Sequence, residues 1–223
     1  MLTRGLIVSC QAPKGTALEG SIYMAAMAKA AEAGGAVALR ANGPDDIRAI
    51  KQVSQLPVIG LWKQEIEGFE PYITPTLASA QAIAEAGSDI IALDATLRPH
   101  PEGSMTQFLQ QVKADLRLPI FADVSSLEEG LAAADAGADY ISTTLSGYTP
   151  YTQKSEEPDF QLLKDLSKAL GLPIVAEGRI WTPEQLKTAF DLGAYAVVVG
   201  TAITNPQEIT RRFVKAISEK SEK

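Results

Sequence analysis

A single cysteine, Cys10, excludes a disulfide within the chain and suits a reducing compartment. It lies inside an apolar run at 6–10, so its expected role is core packing. A single histidine, His100, argues against a metal enzyme, because barrels that use an ion generally spend more than one histidine on it. His100 follows Arg98-Pro99 and is expected on a surface loop, while Asp94 reads better as a bracing carboxylate than as half of a metal pair with Asp123. No apolar stretch approaches the roughly 20 residues needed to span a bilayer, and the run at 6–10 is too short for the apolar part of a signal peptide. With a net charge of −7 and no basic cluster longer than Arg211-Arg212, neither nucleic acid nor an anionic membrane is an expected partner. No Gly-x-Gly-x-x-Gly fingerprint argues for a dinucleotide crevice. These exclusions leave the expectation of a soluble, cytoplasmic protein in which a metal site is not expected.

What the chain does have is a repeated pattern. Eight apolar runs each lead into a polar or glycine residue at the same end: 6–10 into Gln11, 36–39 into Arg40, 58–62 into Lys63 and 90–93 into Asp94. The series continues with 120–122 into Asp123, 140–142 into Thr143, 174–176 into Glu177 and 197–199 into Gly200. Amphipathic helical patterns fill the gaps, at 21–33, 45–55, 78–86, 106–115, 126–136, 160–170, 183–192 and 206–218. Thr182-Pro183, Asn205-Pro206 and a capping box starting at Ser125 mark helix starts, and Gly87 and Gly137 mark helix ends. Buried strands alternating with helices predict an α/β fold, a single (β/α)8 barrel of the phosphate-binding type over residues 1–223, with a frayed tail at 219–223. In such a barrel the loops that follow the strands carry the chemistry.

Lys63 and Glu177 form the sharpest pair, since the third and seventh of eight strands oppose each other. Burial at the edge of an apolar run, with Arg40 on the neighbouring strand, is expected to lower the lysine pKa toward general-base work. The alternatives are a solvated lysine or a structural Lys–Glu pair. Gly178, Gly200 and Thr201, after the seventh and eighth runs, read as a backbone cradle for phosphate. Arg179 is expected either to assist that cradle or to pair with Glu177. The long loop at 143–158, with Thr143 and Tyr148, reads as a lid or a sugar-contacting segment.

Taken together, the segments containing Gln11, Arg40, Lys63, Tyr72-Ile73-Thr74-Pro75-Thr76, Asp94, Asp123, 142–150, Glu177-Gly178-Arg179-Ile180 and Gly200-Thr201-Ala202-Ile203-Thr204 resemble the N-acetylmannosamine-6-phosphate 2-epimerase family over nearly the whole chain. The resemblance implies an isomerase that interconverts N-acetylmannosamine 6-phosphate and N-acetylglucosamine 6-phosphate in sialic acid or amino-sugar catabolism, with a phosphosugar as its small-molecule partner. It carries catalysis onto Lys63 and Glu177, places Gln11, Arg40 and Asp123 near the sugar, and places Gly178 and Gly200 near the phosphate. Lys63 and Glu177 then serve opposite faces of the sugar, or Lys63 serves both faces after the intermediate rotates. The chain departs from the family where members often carry arginine, with Asn205 before the proline that opens the last helix. Other phosphate-binding barrels, such as decarboxylases, thiamin-phosphate-type synthases and pentose-phosphate epimerases, and a phosphosugar sensor are the competing readings. Apolar positions Ile209, Phe213 and Ile217 in the last helix point to a homodimer.

Overall fold

The computed structural model describes residues 1–218, so the expected frayed tail at 219–223 lies outside the described residues. Strands and helices alternate along the chain: β1 Gly5–Cys10, α1 Ser21–Ala33, β2 Ala38–Asn42, α2 Pro44–Lys51, β3 Val58–Leu61, α3 Leu77–Glu85, β4 Ile90–Asp94, α4 Met105–Leu116 and β5 Ile120–Asp123. They continue as α5 Leu127–Ala136, β6 Tyr140–Ser142, a 3-10 turn Thr143–Leu145, α6 Phe160–Ala169, β7 Ile174–Glu177, α7 Pro183–Asp191, β8 Ala196–Val199, α8 Thr201–Thr204 and α9 Pro206–Ser218. Every strand pairs in parallel with the next, and β8 returns to β1 through Leu6 opposite Val197, which closes the barrel.

Successive strand residues point to opposite faces, and this parity divides the core in two. Leu39, Ala41, Ile91, Leu93, Ala122 and Ala176 face outward and pack under the helices. Ile7, Ala38, Ile59, Leu61, Ala92, Phe121, Tyr140, Val175 and Val198 face inward and fill the barrel. Continuing the inward parity by one or two steps reaches Ser9 and Gln11, Arg40, Lys63, Asp94, Asp123, Ser142 and Thr144, Glu177 and Gly200. The chemistry therefore sits on the last inward positions, above an apolar floor.

Several sequence expectations shift. The second strand runs on to Asn42, two residues past Arg40, so Arg40 is an interior strand residue, only 1% exposed, and not a rim residue. Helix α2 stops at Lys51, short of 55, with the chain turning before Pro57. The cap of α5 is Ser126 and not Ser125; Ser126 Oγ accepts from the Glu129 backbone N–H at 3.3 Å. The Glu129 carboxylate reaches back to the Ser125 N–H and hydroxyl, at 2.6 and 2.8 Å. Gly87 and Gly137 do end α3 and α5 with positive φ, 104° and 102°. Asn205 Oδ1 accepts the Glu208 N–H at 3.2 Å and caps α9. His100 is not a surface residue: it is 3% exposed and stacks on Phe108 with ring centres 5.5 Å apart. The loop after β4 folds back on itself through a bridge between His100 and Gly103, which carries the imidazole inward. Asp94 braces that same loop, its carboxylate accepting from the Thr96 hydroxyl at 2.6 Å and from Arg98 Nη2 at 2.7 Å.

Candidate active site

At the carboxyl ends of the strands a cavity of about 960 Å3 opens into the barrel mouth. Lys63, Glu177, Gln11, Arg40, Tyr148, Gly178, Arg179, Gly200 and Thr201 all line it; Asp123 and Thr143 do not. Residues from six different strands or strand-following loops thus meet in one space, although they are far apart in the chain.

Arg40 is the hub. Its Nη2 donates to Asp123 Oδ2 at 2.5 Å, and its Nη1 donates to Glu177 Oε2 and, at 3.1 Å, to Thr144 Oγ1. The guanidinium lies 5.1 Å from the centre of the Phe121 ring, and its Nε has no protein partner. Burial opposes the charge, but the Asp123 and Glu177 carboxylates more than offset it and hold the Arg40 pKa above its ordinary value. Asp123 is fully buried, with its oxygens taken by Arg40 and Thr144. It therefore supports Arg40 and Thr144 and does not open toward a sugar. Burial pushes its carboxyl up to about 7, with Glu177 adding to the rise and Arg40 opposing it.

Lys63 is held at the backbone, where its N–H donates to Asn42 Oδ1 at 2.8 Å and it bridges to Ile73. Its side chain lines the cavity and is exposed there, with the Arg40, Glu177 and Asp123 charges near it. Burial lowers its pKa, the positive charge of Arg40 lowers it further, and Glu177 and Asp123 pull the other way. Gln11 donates through Nε2 to Ser9 Oγ at 2.9 Å, leaving its carbonyl oxygen without a protein partner.

Thr143 is a correction. Its hydroxyl accepts the Glu177 N–H at 3.0 Å and donates to the Glu177 carbonyl at 2.9 Å, so it fixes the β7 backbone. The side chain that reaches the cavity is its neighbour Thr144, because Thr144 continues the inward parity of β6 and Thr143 does not. That parity was the available signal. Arg179 makes no pair with Glu177, whose carboxylate is held by Arg40. Instead it donates to the carbonyls of Glu157 and Ser146, each at 2.7 Å, and lies 5.6 Å from the Tyr148 ring. It ties the loop after β6 to the loop after β7, in a left-handed backbone conformation (φ 59°) next to Gly178 (φ 107°). Gly200 precedes the first turn of α8, whose opening N–H groups lack partners within the helix. A Cβ at Gly200 would approach Ser9 Cβ to 3.3 Å. Tyr72, from the family-like segment at 72–76, also lines the cavity, as do Trp62, Trp181 and Lys14, which carried no recognisable pattern in the sequence. Among the described residues, no group of three or more His, Cys, Asp and Glu side chains is placed to hold a metal ion.

Residues 24–219 match a family model described as "Putative N-acetylmannosamine-6-phosphate epimerase". The chain belongs to the N-acetylmannosamine-6-phosphate epimerase family. Relatives named "Putative N-acetylmannosamine-6-phosphate 2-epimerase" include one from Caldanaerobacter subterraneus, 54% identical over 98% of this chain and 93% of its own length. Another, from Clostridium perfringens strain SM101, is 50% identical over 93% of this chain and 94% of its own. The solved structure of the N-acetylmannosamine-6-phosphate 2-epimerase from Clostridium perfringens superposes with a TM-score of 0.91 at 48% identity, covering 95% of this chain and 92% of that one. A thiamine phosphate pyrophosphorylase from Pyrococcus furiosus shares the barrel fold alone, with a TM-score of 0.62 at 17% identity over 93% of this chain and 90% of that one. In this member of the epimerase family, none of the described helices is long and apolar enough to cross a membrane.

Proposed function

We propose that this protein interconverts N-acetyl-D-mannosamine 6-phosphate and N-acetyl-D-glucosamine 6-phosphate by removing and returning the proton at C2. The observation that carries the reading is that Lys63 shares one closed-barrel cavity with the Arg40 guanidinium and the Glu177 carboxylate. Inversion at C2 needs the open-chain sugar, whose C1 carbonyl makes the neighbouring proton acidic. Lys63, as the free amine, takes that proton. The enolate charge that develops at O1 is stabilised by the positive field of Arg40 and then by the newly formed Lys63 ammonium. Glu177 assists ring opening and proton return. The phosphate sits against the backbone at Gly178, Gly200 and Thr201, with Gln11 and Tyr148 contacting the sugar. The reaction draws on no cofactor. We place it among carbohydrate epimerases of amino-sugar catabolism in the cytoplasm. Exposed Phe213 and Ile217 on α9, 73% and 71% exposed, favour a homodimer.

Incubation with N-acetylmannosamine 6-phosphate in deuterated water, followed by proton NMR of the anomeric signals, tests the reading. The expected result is a second set of anomeric signals from the C2 epimer, with deuterium at C2. An unchanged substrate overturns the substrate assignment; an epimer that keeps hydrogen at C2 overturns the deprotonation mechanism.

A further inference from the structure

Thr144 Oγ1 has four polar neighbours: Arg40 Nη1 at 3.1 Å, Ser142 Oγ at 2.8 Å, Asp123 Oδ1 at 2.5 Å and Glu177 Oε2 at 3.0 Å. A hydroxyl brings one proton and two lone pairs. Arg40 only donates, so it occupies a lone pair. If Asp123 and Glu177 are both ionised, the single Thr144 proton serves one carboxylate, and the other meets a bare oxygen at hydrogen-bond distance. One additional proton on the pair removes this conflict between the carboxylates, with the Ser142 hydroxyl proton directed away from Thr144 so that its second lone pair is left to the acid. The protonated carboxyl then donates to Thr144, and Thr144 donates to the remaining carboxylate. The charge balance points the same way, since one guanidinium stands between two carboxylates in a site closed on the Asp123 side.

We propose that Thr144 is a positioning residue that relays a proton between Asp123 and Glu177, so that the carboxyl facing the sugar is resupplied from one sealed away from it. In the forward sense the Asp123 O–H bond breaks as its proton passes to Thr144 Oγ1. The original Thr144 O–H bond breaks as that proton passes to Glu177 Oε2. Asp123 ends as the carboxylate, Glu177 as the acid, and Thr144 is unchanged. Arg40 contacts both carboxylates and compensates whichever carries the charge. The charged and titratable groups around this trio are Arg40 from β2, Lys63 after β3, Tyr72 before α3 and Asp94, opposite Asp123 at the end of β4. Burial and the nearby Glu177 charge keep the Asp123 carboxyl high enough, at about 7, for the pair to hold a proton near neutrality. The inference rests on the epimerase reading, because it supplies the proton that Glu177 exchanges during ring opening.

The test compares Thr144→Val, which keeps the shape and loses the hydroxyl, with Thr144→Ser, which keeps the hydroxyl. Turnover of N-acetylmannosamine 6-phosphate is followed from acid to alkaline pH. The expected result is a loss in kcat of about tenfold or more for Val, with its acidic limb displaced, and near-complete recovery of rate and limb for Ser. A Val profile that superposes on wild type overturns the relay, as does a loss equal at every pH that Ser does not relieve. An inert wild-type protein instead overturns the epimerase reading itself. Carbon-13 NMR of the carboxyl groups in the wild-type protein reads the pair without any variant. One proton shared between Asp123 and Glu177 near neutrality supports the relay, and full ionisation of both in the ordinary acid range overturns it.

Discussion

Arg40 Nη2 meets Asp123 Oδ2 at 2.5 Å across the barrel interior, with the two side chains only 1% and 0% exposed. The residues lie on β2 and β5, 83 positions apart in sequence, so the pair joins distant parts of the closed sheet. Such a pair is costly to break by halves, because truncating one partner leaves the other charge buried and uncompensated. Arg40→Met should therefore lower the free energy of unfolding by about 3–5 kcal/mol in urea denaturation. Adding Asp123→Asn should recover part of the loss. A single-variant change below about 1 kcal/mol would mean the pair contributes no more than an exposed one.

The raised Asp123 pKa makes stability depend on pH in a definite direction. Its folded-state value near 7 lies above the ordinary aspartate value, so the folded protein binds the proton more tightly than the unfolded chain. The stabilisation is fully present below the unfolded pKa and is lost as pH rises through the folded one. Between about pH 4 and 7, unfolding free energy should fall with pH by at most about 1.4 kcal/mol per unit from this group. Equilibrium unfolding of Asp123→Asn across the same range should show a flatter profile. An unchanged slope would remove Asp123 as its source.

Lys63 must be deprotonated to act as a base, so kcat/KM should rise with pH through its pKa. Burial and Arg40 place that limb below the ordinary lysine value of about 10.4. Lys63→Ala should lose roughly two or more orders of magnitude in rate. Lys63→Arg should be similarly slow, since a guanidinium keeps the charge but does not release its proton at accessible pH. Near-normal turnover by the arginine variant would show that the charge, and not the base, matters.

Gly60, within β3, leaves the space that Ser88 and Ile47 fill. A Cβ there would fall 1.9 Å from Ser88 Oγ and 2.8 Å from Ser88 Cβ, and Ser88 is buried with its hydroxyl donating to the Ile83 carbonyl at 2.7 Å. Gly60→Ala should cost about 1–3 kcal/mol from overpacking. Combining it with Ser88→Gly should cost less than the sum of the two single changes, a coupling that thermal melts of the four proteins would measure.

The architecture was legible because it rests on local, repeated signals. Apolar runs of strand length, helical periodicity and glycine or proline punctuation recur along the chain, and closure follows from their number. The cavity-lining places of Lys63, Glu177, Gln11 and the cradle glycines were legible for the same reason, since each follows a strand at its carboxyl end. Thr144, and the enclosed positions of Arg40 and Asp123, were harder to see. They depend on which face each strand residue presents, and an end-of-run reading does not resolve a one-residue shift that swaps Thr143 for Thr144. His100 went inward because its loop folds back on itself, which no short stretch of sequence encodes.

By itself, then, the order of residues determined an eight-stranded parallel barrel with its reactive side chains gathered at one end. Only the tertiary structure decided which of those side chains touch. Arg40 pairs with two carboxylates that are remote in sequence, and Thr144 and not Thr143 joins them. The physical reason is that hydrogen bonds and charge compensation act over a few ångströms in space, whereas the chain specifies only faces and spacing until closure brings its distant strands together.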